Sequence, residues 1–375
     1  MSKRKLHIIS FDVPYPANYG GVIDVFYKIK ALKTTGIGVM LHCYAYGRRD
    51  KAPDLEALCE KVYYYPRRTG WCTNFSLKPY IVNSRQSEQL LENLLADNYP
   101  ILFEGLHSCF YLDDPRLEQR MKVYRESNIE HHYYAHLAKA EKNAFKKLFF
   151  IIESWRLKLY QQNLNHANLI LAVSGSDTAY LQQHFPQQHV EYLPSFHPND
   201  DFEVRAGKSD FFLYHGKLSV TENYNAAEYL MEKVFAGLPH QLVIAGMDPP
   251  HHLINKCNSF GNVKLITNPD DATMFGLIRE AQANILVTFQ ATGLKLKLLN
   301  TLYKGRYCIV NPEMVQGTGL DALCEIAADA AELKEKIAML ADKTFDINEV
   351  TRRREVLMKN YSNTTNAQKL IELVF

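Results

Sequence analysis

The sequence predicts an α/β fold divided into two domains, each a mostly parallel sheet covered by helices. Three observations carry this. Residues 6–32 run from a short apolar strand through a glycine pair into a helix, and residues 283–310 read strand, glycine, helix, glycine, strand, a β-α-β unit. Residues 195–210 (SFHPNDDFEVRAGKSD) are polar and aperiodic, as an interdomain linker is. A length of 375 residues suits two domains that each bury a core.

Composition narrows the class. A hydrophobic content of 47% with 43 basic against 41 acidic residues describes a soluble globular chain. The net charge of +2 argues against a nucleic-acid binder that works by bulk phosphate neutralisation. The seven cysteines are scattered and form no CxxC or Cys/His cluster, so neither a disulfide framework nor a zinc site is expected. That usage suits a reducing compartment, and the cytoplasm is the expected location. The N-terminus (MSKRKLHIISFDVP) reads as a first strand and not as a signal peptide, and no apolar stretch reaches the length of a membrane span.

In chain order, residues 6–11 form a buried strand, and Pro14, Pro16 and Gly20-Gly21 lead from it into a helix over 22–32. Such a turn sits at the carboxyl end of a strand, the binding edge of an open α/β sheet. Strands follow at 36–43, 62–65 and 100–103, with a helix at 86–95. The last strand runs into Glu104-Gly105-Leu106-His107, where a histidine can act as a neutral hydrogen-bonding group. Residues 123–134 (VYRESNIEHHYY) gather Arg125, Asn128, Glu130, His131 and His132, too polar for a core strand and too crowded for a routine loop. They read as a structural hydrogen-bond cluster or as part of a site. On a strand the adjacent His131 and His132 point to opposite faces and do not share a metal.

Residues 140–163 predict one long helix, with Phe145, Leu148, Phe149, Ile152, Trp155 and Leu159 recurring at three and four. This is first of all a packing stripe. Phe150 and Ile151 widen it beyond one packing face, and Lys142, Lys146, Lys147, Arg156 and Lys158 accompany it, leaving room for a weak contact with an anionic membrane. A strand at 167–173, a helix capped by Ser174 and Ser176-Asp177, and a strand at 190–193 complete a first domain of residues 1–194.

The second domain, residues 211–364, opens with a strand at 211–215, the pair Gly216-Lys217 and a helix at 223–234. Strands at 241–245 and 263–265 and a helix at 271–280 lead to a strand at 283–290 and then to TGLKLKLLNTLYKGRYCIVNPEMVQGTG (292–319). Gly293 makes a tight strand-to-helix turn, 296–303 is one helical face, Gly305 closes it, and 307–310 is the next strand. The start of that helix suits a diphosphate, because free N–H groups and the helix dipole meet there with Lys295 and Lys297 within a turn. Helices at 327–341, 349–360 and 365–373 end the chain.

The stretch 292–319 resembles the G-x-K-x-K-x-x-E-A…G-x-P-V-V…G motif of family 4 retaining glycosyltransferases with the GT-B fold. Gly293, Lys295, Lys297, Gly305 and the 317–320 loop fall where that pattern wants them. The glutamate expected to hold the ribose is Asn300 here, and the first glutamate of the Glu-seven-Glu version falls at Thr292. YHGKLSVTENYNA (214–226) is similar to the opening of the family's C-terminal domain, and R-x-x-N-x-E-H-x-Y-Y segments occur in a subset of the same enzymes. The resemblance implies two Rossmann-like αβα domains facing across a cleft, with residues 365–375 crossing back to the first.

It also implies roles. Gly216, Gly293, Lys297, Asn300, Gly317 and Thr318 would hold the nucleotide-sugar, with Gly21 near its phosphates. His107 would face the transferred sugar, and Lys217 and Lys295 would neutralise the departing diphosphate. Gly20, Glu104, Arg125, Asn128, Glu130 and His131 would form the acceptor side. The activity implied is metal-independent, cofactor-free hexosyl transfer with retention, to a carbohydrate or lipid-linked glycan in surface polysaccharide synthesis, at the inner face of the membrane. In such enzymes the donor phosphate helps deprotonate the acceptor, so the paired carboxylates of glycoside hydrolysis are not required. Two alternatives stand beside it. A nucleotide-sugar 2-epimerase would use Glu104, His107 and Glu130 as acid–base groups, and a degenerate binding module would explain Asn300 and Thr292.

Overall fold

The computed structural model describes residues 4–47, 49–70, 76–289 and 296–375. It contains two compact units. One comprises the chain up to His197 together with Asn360–Phe375, and the other the described residues between Pro198 and Lys359.

The first unit is built on seven parallel strands: β1 (Lys5–Ser10), β2 (Gly38–Ala45), β3 (Lys61–Pro66), β4 (Ile101–Glu104), β5 (Lys122–Arg125), β6 (Leu169–Ala172) and β7 (His189–Tyr192). Their order is β3-β2-β1-β4-β5-β6-β7. The inner strands are apolar on both faces, as strands covered by helices on each side must be. The second unit repeats the plan with β8 (Phe211–Lys217), β9 (Gln241–Met247), β10 (Val263–Thr267), β11 (Ala283–Leu286), β12 (Tyr307–Val310) and β13 (Glu325–Ile326). There the order is β10-β9-β8-β11-β12-β13. In both sheets the first strand lies inside, and the chain winds first to one side of it and then to the other. Successive connections therefore diverge between β1 and β4 and between β8 and β11. A crevice opens at the carboxyl ends of the strands at each of these points.

The last helix, Asn363–Val374, packs on the helix Gly20–Thr34, with Ala367, Leu370 and Val374 buried in one core with Val25, Ile29 and Leu32. Lys369 ties it to β7 by an ion pair to Glu191 at 3.0 Å.

Three expectations are corrected. The strand expected over 283–290 leaves its ladder after Leu286, because Thr288 N bonds the Asn311 side chain (3.1 Å) and Phe289 N bonds Glu222 Oε1 (3.0 Å). The helix expected over 140–163 runs Ala144–Tyr160, and the segment 123–134, read as too polar for a core strand, divides between the buried strand β5 and the start of a separate helix, Glu130–Ala140. The side chain of Asn143 accepts from Phe145 N and Lys146 N, each at 3.1 Å, and so starts a new helix. His131 and His132 accordingly stand on a helix and not on a strand, with ring centroids 4.2 Å apart.

Glycine shapes the second crevice. Gly216 and Gly246 are cross-strand partners at the ends of β8 and β9. A Cβ on Gly246 would lie 1.9 Å from the Gly216 carbonyl oxygen and 2.8 Å from Leu218 Cγ. Gly246→Ala is therefore expected to destabilise the protein by about 3 kcal/mol, because backbone must move to admit the methyl group. Denaturant unfolding checks this, and a loss below about 1 kcal/mol contradicts it.

Candidate functional site

The crevice between β1 and β4 holds a pocket of about 310 Å³ within the first unit. Phe11, Tyr19, Gly20 and Gly21 approach from the carboxyl end of β1, His107 from that of β4, and Ser127, Asn128, Glu130, Tyr133 and Tyr134 from that of β5. Five residues named from sequence thus line one cavity: Gly20, Gly21, His107, Asn128 and Glu130. Sequence reasoning missed Phe11, Tyr19, Ser127, Tyr133 and Tyr134. The two tyrosines were legible as neighbours of Glu130 one helical turn on, whereas nothing local marks Phe11. A Cβ on Gly21 would fall 2.6 Å from the Phe11 ring, so this glycine leaves the ring its place in the wall.

His107 is presented by Gly105, whose φ of 67° lies in the left-handed region that glycine adopts without strain. Its ring lies 5.2 Å from that of Phe11, and Nδ1 lies 3.7 Å from Glu130 Oε1, beyond hydrogen-bond length. Burial, with Arg85 and Arg67 adding repulsion, pushes the imidazole well below its usual range, so His107 is neutral at pH 7. Burial pushes the Glu130 carboxyl up to about 8, against the pull of Arg85. The pocket thus pairs a neutral imidazole with a protonated carboxyl. These groups can donate and accept hydrogen bonds to sugar hydroxyls without burying a charge.

The protonated state of Glu130 has a stability consequence. The folded chain keeps a proton that the unfolded chain, titrating near 4.5, releases. Its contribution is complete below pH 4.5 and is lost as pH rises through about 8. Glu130→Gln, which mimics the protonated form, is expected to melt above wild type at alkaline pH and level with it near pH 4.5. Melting curves across pH check this, and a difference independent of pH contradicts it.

Three acceptor-side candidates lie elsewhere. Glu104 and Arg125 belong to a buried ion network beneath the sheet edge. Lys28 Nζ reaches Glu104 Oε1 at 2.6 Å and Asp24 Oδ2 at 2.9 Å, while Arg125 Nη2 reaches Asp24 Oδ1 at 3.4 Å and donates to the Pro194 carbonyl at 3.0 Å. Burial raises the Asp24 carboxyl, but Lys28 and Arg125 outweigh it and hold the group at about 2. Burial pushes Glu104 up despite Lys28. His131 turns toward Tyr180, whose hydroxyl lies 3.5 Å from Nε2, and its pKa is lowered to about 4 by burial and then by His132.

In the second unit the end of β8, beside the crevice between β8 and β11, brings together Gly216, Lys217 and Lys297. Lys217 is exposed at the end of β8, and its carbonyl accepts from Asn223 Nδ2 at 2.9 Å. Lys297 donates to Asn223 Oδ1 at 3.0 Å, and its ammonium lies 5.6 Å from the centre of the Tyr214 ring. A Cβ on Gly216 would sit 3.3 Å from Lys297 Nζ, so the glycine backbone and both lysines share this edge. Asn223, which joins them, was missed from sequence. Asn300 presents its oxygen to Asn199 Nδ2 at 2.8 Å. Beyond β12, Gly317 and Gly319 take φ of 71° and 69°, and Thr318 between them bonds its hydroxyl to the Val315 carbonyl at 2.7 Å. Gly293 and Lys295 lie outside the described residues. No group of three or more His, Cys, Asp or Glu side chains among the described residues could hold a metal ion. No helix among them is long and apolar enough to cross a membrane.

The chain matches sucrose-phosphate synthase from Thermosynechococcus elongatus with a TM-score of 0.71 at 15% identity, covering 99% of this chain and 98% of that one. It matches an alpha,alpha-trehalose-phosphate synthase (UDP-forming) from Burkholderia vietnamiensis at 0.62 and 10% identity, covering 99% of each. It also matches Medicago truncatula UGT71G1 complexed with UDP-glucose at 0.58 and 12%, covering 99% and 98%. The fold is GT-B. Two parallel-sheet α/β units and a C-terminal helix returning to the first unit are the GT-B plan. No family model matches the sequence. A similar curated protein is an uncharacterised 44.6 kDa protein in cps region of Klebsiella pneumoniae, 26% identical over 340 residues and 84% of each chain.

Proposed function

We propose that this GT-B protein is a retaining hexosyltransferase of the family 4 kind, moving a hexose from a nucleotide-sugar to a hydroxyl of a sugar or lipid-linked glycan. The observation that carries the reading is the pairing of chemistries at the two sheet crevices. One offers neutral hydrogen-bonding groups, His107 and Glu130, in a pocket walled by aromatic rings. The other offers the Gly216 backbone with Lys217 and Lys297. Uncharged polar groups against aromatic faces suit a sugar, and ammonium groups over a close backbone suit a diphosphate.

In this mechanism Lys217, Lys297 and Lys295 neutralise the charge that grows on the diphosphate as the anomeric bond breaks. His107 orients the transferred hexose, and the departing phosphate helps deprotonate the acceptor hydroxyl on the same face, which preserves the anomeric configuration. The main chain at Gly21 and Gly317 adds donors to the phosphates. Neither a metal ion nor a cofactor is used. Structures of similar fold complexed with UDP-glucose and with UDP-L-rhamnose support a nucleotide-sugar donor, and the similar protein in cps region supports a role in surface polysaccharide synthesis.

The test incubates the protein with uridine, guanosine and adenosine diphosphate-hexoses and a panel of acceptors. The expected result is acceptor-dependent release of nucleoside diphosphate, with a product whose anomeric proton coupling equals that of the donor. Inversion overturns the retaining assignment. Donor epimerised without acceptor overturns transfer itself.

A further inference from the structure

The helix Ala144–Tyr160 was expected to spend its apolar stripe on packing, and it does not. Phe145 is 86% exposed, Trp155 62%, Leu148 55% and Leu159 54%, and Phe149, Ile151 and Ile152 are exposed beside them. These seven side chains recur at three and four residues and so share one broad face. The opposite face is firmly docked. Glu153, Leu157 and Tyr160 are buried there; Glu153 accepts from Tyr80 N at 2.7 Å and Tyr160 donates to the Cys109 carbonyl at 2.8 Å. A helix anchored along one side therefore presents a continuous apolar band on the other, larger than scattered surface hydrophobics account for.

Charge identifies what covers it. Lys139, Lys142, Lys146, Lys147 and Lys158 are all exposed on or just before this helix. Its one carboxylate, Glu153, is buried and paired with Arg156 at 2.9 Å. An apolar band bordered by five lysines, against a single partly exposed carboxylate, Glu141, that accepts from Asn143 N at 2.8 Å, fits a bilayer surface carrying anionic headgroups, with the rings and aliphatic chains entering the acyl boundary and the ammonium groups remaining at headgroup level.

We infer that the face of Phe145, Leu148, Ile152, Trp155 and Leu159 docks this protein on an anionic membrane. The surface adjoins the sugar pocket. The preceding helix, Glu130–Ala140, carries Glu130, Tyr133 and Tyr134 of the pocket wall and packs on the docked helix, where Tyr134 and Phe150 have ring centroids 5.9 Å apart. Docking therefore brings the pocket to the place where a hydroxyl on a lipid-linked glycan resides. That last step rests on the transferase reading, whereas the docking does not.

The test is co-sedimentation of the full chain with vesicles of phosphatidylcholine, with and without phosphatidylglycerol, at low and high salt. Binding is expected to be at least about ten-fold tighter to the anionic vesicles and to weaken with salt, each lysine supplying roughly five-fold. Phe145→Ser combined with Trp155→Ser should abolish sedimentation without lowering the melting temperature, since both side chains are exposed. Lys146→Glu with Lys147→Glu should remove the preference for phosphatidylglycerol. Absence of wild-type binding to anionic vesicles overturns the inference. So does light scattering that finds a dimer dissociated by the serine variant, which would assign the face to a second copy of the chain. Because no nucleotide-sugar enters the assay, its failure leaves the transferase reading standing, and failure of that reading leaves the docking intact.

Discussion

Replacing His107 with alanine is expected to lower turnover by about ten- to a thousand-fold, the scale of a positioned polar group at a reacting centre. The imidazole is held by the positive-φ turn at Gly105, packed against Phe11 and kept neutral by burial beside Arg85 and Arg67. A neutral ring here orients a sugar hydroxyl and does not bind the diphosphate, so nucleotide affinity should be nearly unchanged. Steady-state kinetics with a parallel nucleotide titration reads both quantities. Unaltered turnover in a folded variant would reduce His107 to a wall of the pocket.

Lys217→Met is the second large effect. Methionine keeps an apolar stem of similar length and removes the charge. The leaving diphosphate gains charge as the glycosidic bond breaks, so the ammonium stabilises the transition state more than the ground state. Turnover should fall by about ten- to a hundred-fold, or roughly 1.4 to 2.8 kcal/mol of lost stabilisation, with a smaller loss of affinity for the free nucleoside diphosphate. Lys217 is exposed while its carbonyl is tied to Asn223, so the substitution should leave the fold of β8 intact. A lysine that is merely solvated predicts no change in either quantity.

Most strands of both sheets were legible because they are short apolar runs bounded by glycine, proline or polar residues, as at β1 and β12, whereas β5 (KVYR), with a charge at each end, and the two-residue β13 were not. The order of the strands was not, since order depends on pairings between distant segments. The same limit explains Glu104 and Arg125. Each stands at a strand end next to candidate site residues, yet their partners Lys28 and Asp24 lie 76 and 101 residues away in sequence and draw them beneath the sheet edge. Local spacing carries no information about such a network. The helix start at Asn143 was readable as a cap, although the expected helix was begun three residues earlier, at Ala140. Periodicity established that this stripe forms one face and was silent on what covers that face. At the second crevice Gly216 and Lys217 stood out as a strand end, whereas Asn223 joins them to Lys297 only through the fold.

The central claim is that a nucleotide-sugar binds with its diphosphate at the β8 and β11 crevice of the second unit. Amide hydrogen exchange with saturating uridine, guanosine or adenosine diphosphate-hexose tests it most directly, after a thermal-shift screen selects the donor that raises the melting temperature. The account predicts protection over 216–223, 296–300 and 317–320, with a lesser effect near Gly21. Protection confined to residues before Ser195, or none from any of the three donors at millimolar concentration, would contradict it.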